Sequence, residues 1–98
     1  MSRFLPDGVM VTLADDLANA YLQAGGNERY IEIGLGTAKD EPDVALSYFA
    51  DFYLGDRIRV PDDLLARFHD IADGDYCLYS DYEDLLALNK ELDTDAQG

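Results

Sequence analysis

The chain has 98 residues, 48% of them hydrophobic, with 21 Asp and Glu against seven Lys and Arg, for a net charge of −14 at neutral pH. That length suits one domain that removes roughly two-thirds of its unfolded surface from water, and seven Tyr with four Phe exclude a disordered acidic tail. So strong a negative field excludes direct binding to nucleic acid or to an anionic membrane and favours a basic protein as partner.

In chain order, a turn at Pro6-Asp7-Gly8 leads into Val9-Met10-Val11, which reads as a brief strand. Thr12, with Asp15 three residues on, reads as the N-cap of a helix whose apolar stripe is Leu13, Leu17, Ala20, Tyr21 and Ala24, closed by Gly25-Gly26. From Arg29 to Leu35 the period is two, a strand with Ile31, Ile33 and Leu35 on one face. A polar loop follows from Gly36 to Glu41. Pro42 opens a helix with Asp43 in its first turn and a stripe of Ala45, Tyr48, Phe49 and Phe52, ending at Gly55. Arg57 to Val60 reads as a short strand. Pro61 opens the next helix, with Asp62 and Asp63 in its first turn, Leu64, Leu65, Phe68 and Ile71 turned inward, and Gly74 as its end. Tyr76 to Tyr79 reads as strand again, and Ser80-Asp81-Tyr82-Glu83 as the capping box of a last helix running to about Leu92.

These elements predict a single α+β domain over residues 1–92, about four helices packed on a small sheet of three or four short strands, with a flexible tail at 93–98. Core candidates are Leu17, Tyr21, Ile31, Ile33, Phe49, Phe52, Leu64, Phe68, Ile71, Leu78, Leu85 and Leu88. Residues 49–87 also suggest an internal helix-strand-helix repeat. Phe49-Ala50-Asp51, Gly55-Asp56 and Asp63-Leu64-Leu65-Ala66 are echoed by Phe68-His69-Asp70, Gly74-Asp75 and Asp84-Leu85-Leu86-Ala87.

Most chemistry fails on residue type. Asp73, Asp75 and Asp84 stand at positions 1, 3 and 12 of a calcium loop, but Cys77 and Leu78 occupy positions 5 and 6, where a ligand and the turn glycine belong. One His and one Cys form no zinc set, and His69 beside Asp70 reads as a solvated residue. Cys77, within an alternating run, reads as a buried apolar residue without a partner for a disulfide. Ser47 and Ser80 are accounted for by helix surface and cap, leaving Ser2 with the lone His as a poor basis for nucleophilic catalysis. Gly34-Leu35-Gly36 lacks the third glycine of a dinucleotide fingerprint. The expectation is a protein with no catalytic residue, no metal and no cofactor. No stretch suits a signal peptide or a membrane span, and the expected compartment is the cytoplasm.

The charge is unevenly placed. Residues 1–39 carry five acids and three bases (−2), residues 40–98 sixteen and four (−12). Asp43, Asp51, Asp56, Asp62, Asp63, Asp70, Asp73, Asp75, Asp81, Glu83 and Asp84 fall on helices, their caps or adjoining turns, where an apolar core pushes them onto a shared outer surface. Helix neighbours stand about 5–6 Å apart, a spacing comparable to that of backbone phosphates. Ordinary capping chemistry accounts for acids in first turns, and adaptation to high salt also produces an acidic, lysine-poor surface. Neither gathers the charge into one part of the chain.

Size, charge and two segments, Phe49-Ala50-Asp51-Phe52-Tyr53-Leu54-Gly55-Asp56 and Asp81-Tyr82-Glu83-Asp84, resemble the small acidic DNA-mimic proteins of phages and mobile elements, the anti-CRISPR and antirestriction class. The resemblance is to the class and covers only these segments. It implies an inhibitor in the cytoplasm of a host bacterial cell whose acidic surface fills the nucleic-acid groove of a CRISPR surveillance complex, a Cas nuclease or a restriction enzyme. The same acidity also suits an immunity or antitoxin protein that covers a basic nuclease active site, or a soluble salt-adapted domain without mimicry.

Overall fold

In the computed structural model, which describes residues 7–97, the chain forms five helices: α1 (Asp7–Gln23), α2 (Glu28–Ala38), α3 (Pro42–Asp56), α4 (Asp62–Ala72) and α5 (Tyr76–Gln97). There is no strand among the described residues. The expected α+β fold with its small sheet is therefore replaced by an all-helical one. Ser2, Pro6 and Gly98 lie outside the described residues.

Each expected strand has its own physical outcome. Val9-Met10-Val11 belongs to α1, which starts before Thr12; the Thr12 hydroxyl is not a cap but donates to the Gly8 carbonyl one turn back, 2.8 Å away. Residues 29–35 sit in α2. Asn27 caps it, its side chain accepting from the Arg29 amide at 2.9 Å, and Ile31, Gly34 and Ala38 form a buried stripe at helical spacing. Ile33, which an alternating strand would have buried, is 53% exposed.

After the left-handed Arg57, residues 58–60 form no helix and have no partner strand. Val60 instead exchanges both backbone hydrogen bonds with the Asn89 carboxamide on α5: its amide donates to Asn89 Oδ1 at 2.9 Å, and Asn89 Nδ2 donates to its carbonyl at 2.8 Å. A side-chain amide thus takes the role of a neighbouring strand's peptide group. Tyr76 to Tyr79 form the first turn of α5, since the Asp75 carboxylate accepts from the Leu78 amide at 3.0 Å and caps the helix there. Ser80 is left exposed in the second turn. At its other end α5 continues to Gln97, through the segment expected to be a tail.

Cross-helix contacts set the directions. Ser47–Asp81, Arg57–Glu91 and Arg59–Asp93 all keep an offset of 34 residues, so α3 and α5 run parallel. Tyr30–Phe52 and the approach of Gly34 to Phe49 run in opposite senses, so α2 is antiparallel to α3. Helices α1, α3, α5 and α4 pack in that order as a four-membered ring, and α2 covers the groove between α1 and α3. The molecule extends over 48 × 28 × 18 Å.

Tyr21, Phe49, Tyr53, Phe68, Leu13, Leu17, Leu46 and Leu85 fill the centre and are essentially inaccessible to water. Of the twelve expected core residues, ten are buried; Phe52 is half-buried and Ile33 exposed. Tyr53 donates from its hydroxyl to the Leu17 carbonyl at 2.6 Å, joining α3 to α1.

Left-handed residues close α1 and α3 as the turn geometry requires. Gly25, at φ 96°, closes α1, with the Gly26 amide reaching back to the Tyr21 carbonyl at 2.9 Å. Arg57, at φ 54°, does the same for α3, two residues beyond the expected Gly55. The repeat over 49–87 does not survive as structure. Its first Gly-Asp pair lies inside α3 and its second in the turn after α4, while Asp-Leu-Leu-Ala opens α4 in one copy and lies in the third turn of α5 in the other.

Candidate functional site

Residues 70–88, from the last turns of α4 through the first half of α5, hold six acids and no Lys or Arg. Because α3 runs parallel to α5, its middle faces that half and brings Ser47 and Asp51 beside Asp81. The Ser47 hydroxyl donates to Asp81 Oδ2 at 2.6 Å. Burial raises the affinity of the half-buried Asp81 carboxyl for its proton. The Ser47 hydrogen bond opposes this, and the nearby charges of Asp51, Asp84 and Asp75 add to it. Four of the expected site residues, from α3, α5 and the α4–α5 turn, thus share one local field.

Asp43, Asp63, Asp70, Asp73 and Glu83 are exposed. Asp70 lies 3.6 Å from His69 Nδ1, and Asp73 follows the last turn of α4. Asp75 is half-buried by its capping role. Asp56 and Asp62 stand apart from the cluster. Asp56, the last residue of α3, accepts from the Tyr21 hydroxyl, and Asp62 is paired with Arg59 at 2.9 Å.

Two of the arginines stand where those two lie. Arg57 meets Glu91 at 2.6 Å, and Arg59 bridges Asp62 and Asp93, the latter at 2.7 Å. These bonds hold the Asp93 carboxyl below its ordinary range and push the Arg59 guanidinium above its own. Arg67 pairs with Asp16 across α4 and α1 at 2.7 Å. Ten residues of helix separate the Ser47–Asp81 contact from the Arg57–Glu91 pair, about 15 Å of axial rise. The bundle is therefore polar in charge: its acids are partly offset by Arg57, Arg59 and Lys90 at the C-terminal ends of α3 and α5, and stand without Lys or Arg where α5 begins.

Aromatic side chains stand among the acids at that end. His69 packs edge-on against Tyr82 (ring centroids 4.8 Å apart) and Tyr79 (6.0 Å), and Tyr79 lies 5.6 Å from Tyr82. Tyr76 is 91% exposed. Only Tyr82 was legible in the sequence as part of this surface. The spacing of Tyr76, Tyr79 and Tyr82 puts them on adjoining positions of one helix face, a signal lost when the segment is taken for a strand. Cys77, expected to be buried, is exposed for the same reason.

No group of His, Cys, Asp and Glu among the described residues is arranged to hold a metal ion, including Asp73, Asp75 and Asp84. No helix among them is long and apolar enough to cross a membrane. Comparison of the chain with protein-family models, with curated proteins and with solved structures finds no match.

Proposed function

We propose that the protein is a non-enzymatic inhibitor whose acidic face, built from α5's first half with the end of α4 and the middle of α3, takes the place of DNA in the nucleic-acid groove of a host defence protein of the CRISPR or restriction type. The observation that carries this reading is the separation of charge: six acids without a Lys or Arg over residues 70–88, joined by Asp51 across the helix contact. Acids serving only solubility would have no reason to gather at one end while Arg57 and Arg59, with Glu91, Asp62 and Asp93, pair at the other. Placement on helices keeps the carboxylates spaced and partly pre-ordered, which lowers the entropy lost on binding.

The test is competition with duplex DNA for purified CRISPR effector complexes and restriction enzymes. The wild type displaces DNA, and combined Asp51→Asn, Asp73→Asn, Glu83→Gln and Asp84→Asn substitution weakens displacement by more than about tenfold through lost steering and pairing. All four side chains are exposed, so the fold persists. Salt weakens the wild type in the same direction, because the Debye length falls from ~8 Å at physiological ionic strength to ~3 Å at 1 M. Equal competition by the quadruple variant, or indifference to salt, refutes mimicry.

A further inference from the structure

The first two turns of α5 and the turn before them enclose an open cleft of about 400 Å³, lined by Gly74, Asp75, Tyr76, Tyr79, Ser80 and Glu83. Tyr76, Tyr79, Ser80 and Glu83 follow one another at i, i+3, i+4 and i+7, a single stripe of the helix. Tyr79 is held against His69 and Tyr82, whereas Tyr76 projects into solvent with 91% of its surface exposed. Gly74, at φ 90°, contributes no side chain, and nothing lies within 4 Å of where its Cβ would be. One side of the cleft is thus open to an incoming group.

Two tyrosines and two carboxylates lining one cleft define the chemistry of what fits. Each ring face is the negative end of a quadrupole and attracts a cation lying within about 6 Å. Asp75 and Glu83 supply formal negative charge, and no Lys or Arg among the described residues forms an ion pair with either. A guanidinium satisfies both kinds of group at once, stacking its plane on a tyrosine and directing its N–H donors at a carboxylate. A lysine ammonium is a strongly hydrated point charge without that plane. Tyrosine and arginine are also, with tryptophan, the residues enriched where binding energy concentrates at interfaces.

We infer that this cleft receives an arginine side chain of the basic partner protein, and so forms the anchoring point of the acidic face. The inference deepens the proposed function and takes its partner from it, although the chemistry of the cleft can be measured separately.

The experiment is an amide-shift NMR titration of the whole chain with the blocked peptide acetyl-Gly-Arg-Gly-amide, and with its lysine and citrulline analogues, at fixed ionic strength. The arginine peptide produces saturable shifts centred on Tyr76, Tyr79, Ser80 and Glu83, the lysine peptide binds more weakly, and the citrulline peptide does not bind. Tyr76→Leu and Glu83→Gln each weaken binding about two- to fivefold, the range of an exposed cation–π or charge contact. Tyr76→Phe keeps the ring and binds as the wild type does, as does Glu28→Gln, which removes one charge from exposed α2. Shifts spread evenly over the acidic helices, undiminished binding by Tyr76→Leu, or equal response to the lysine peptide each overturn the inference. The DNA-competition assay separates the two ideas. Competition without peptide shifts at the cleft refutes the cleft alone, and peptide shifts at the cleft without competition refute mimicry alone.

Discussion

Asn89 is the buried polar side chain on which the connection between α3 and α4 depends, and removing it tests the fold most directly. It is 4% exposed and Val60 fully buried, so Asn89→Ala leaves the Val60 amide without a partner and its carbonyl with only the long 3.4 Å contact from Arg59 Nη1. Each unpaired group costs about 1–3 kcal/mol. Some water can enter the space vacated by the carboxamide and Arg59 still reaches the carbonyl, so we expect a loss of about 1–4 kcal/mol, a large share of the roughly 5–15 kcal/mol typical of a domain. Asn89→Asp sharpens the test. An ionised carboxylate can accept from the Val60 amide but turns its second oxygen on the Val60 carbonyl, whereas a protonated carboxyl can donate to it. Burial and the carbonyl both favour the neutral form, so the folded chain raises the introduced carboxyl's pKa above its unfolded value of about 3.9. The deficit of Asn89→Asp relative to wild type is therefore small below that value and grows as pH rises through the folded pKa. Urea unfolding followed by circular dichroism at several pH values measures both variants. A cost below about 1 kcal/mol for Asn89→Ala, or a deficit for Asn89→Asp that is the same at acid and neutral pH, would refute the assigned role.

Three further outcomes follow from packing and charge. A Cβ on Gly34 would stand 2.5 Å from Cζ of the inaccessible Phe49, so Gly34→Ala destabilises by about 1–2 kcal/mol despite its better helix propensity. Gly36→Ala, on the same helix with nothing within 4 Å, stabilises by about 0.5–1 kcal/mol; thermal unfolding of the pair gives opposite signs. Asp81→Asn keeps an acceptor for Ser47 and removes a half-buried charge crowded by Asp51, Asp84 and Asp75. It gains about 0.5–1 kcal/mol at neutral pH. Because the folded chain raises the Asp81 pKa, acidification already favours the native wild type through that range, so the variant's advantage shrinks as pH falls and urea midpoints converge. Burial raises the pKa of both Tyr53 and Tyr21, Asp56 adding to the effect at Tyr21. Alkaline absorbance titration should leave these two of the seven tyrosines un-ionised until the chain unfolds, with stability falling as pH rises above the ordinary tyrosine range near 10; seven tyrosines ionising together in the native state would contradict this.

Much of the helical framework was legible in the residues themselves. The stripes of Leu13, Leu17 and Tyr21, of Ala45 and Phe49, and of Leu64, Leu65, Phe68 and Ile71 carry the helical period over enough turns to exclude a strand. Gly25 and Gly74 mark ends, and Pro42 a start, by backbone restrictions that act locally. The excess of acid in residues 40–98 was equally plain. Short segments were not. Over seven residues, Ile31, Ile33 and Leu35 satisfy a period of two while Ile31, Gly34 and Ala38 satisfy the helical one. The Asn27 cap and the seat of Gly34 against Phe49, a residue fifteen positions away, favour the helix. Residues 58–60 do leave the helices, as a strand would, but only the approach of Asn89 from α5 shows that a carboxamide, and not a second strand, satisfies Val60. Charge by itself named the acids but not their grouping. The 34-residue register between α3 and α5 brings Asp51 to Asp81 and gives Glu91 and Asp93 to the arginines. Local periodicity and caps thus decide where a long helix forms, because they act within a few turns of chain. Which acids remain unbalanced depends on contacts between residues dozens of positions apart, and those exist only once the helices have packed.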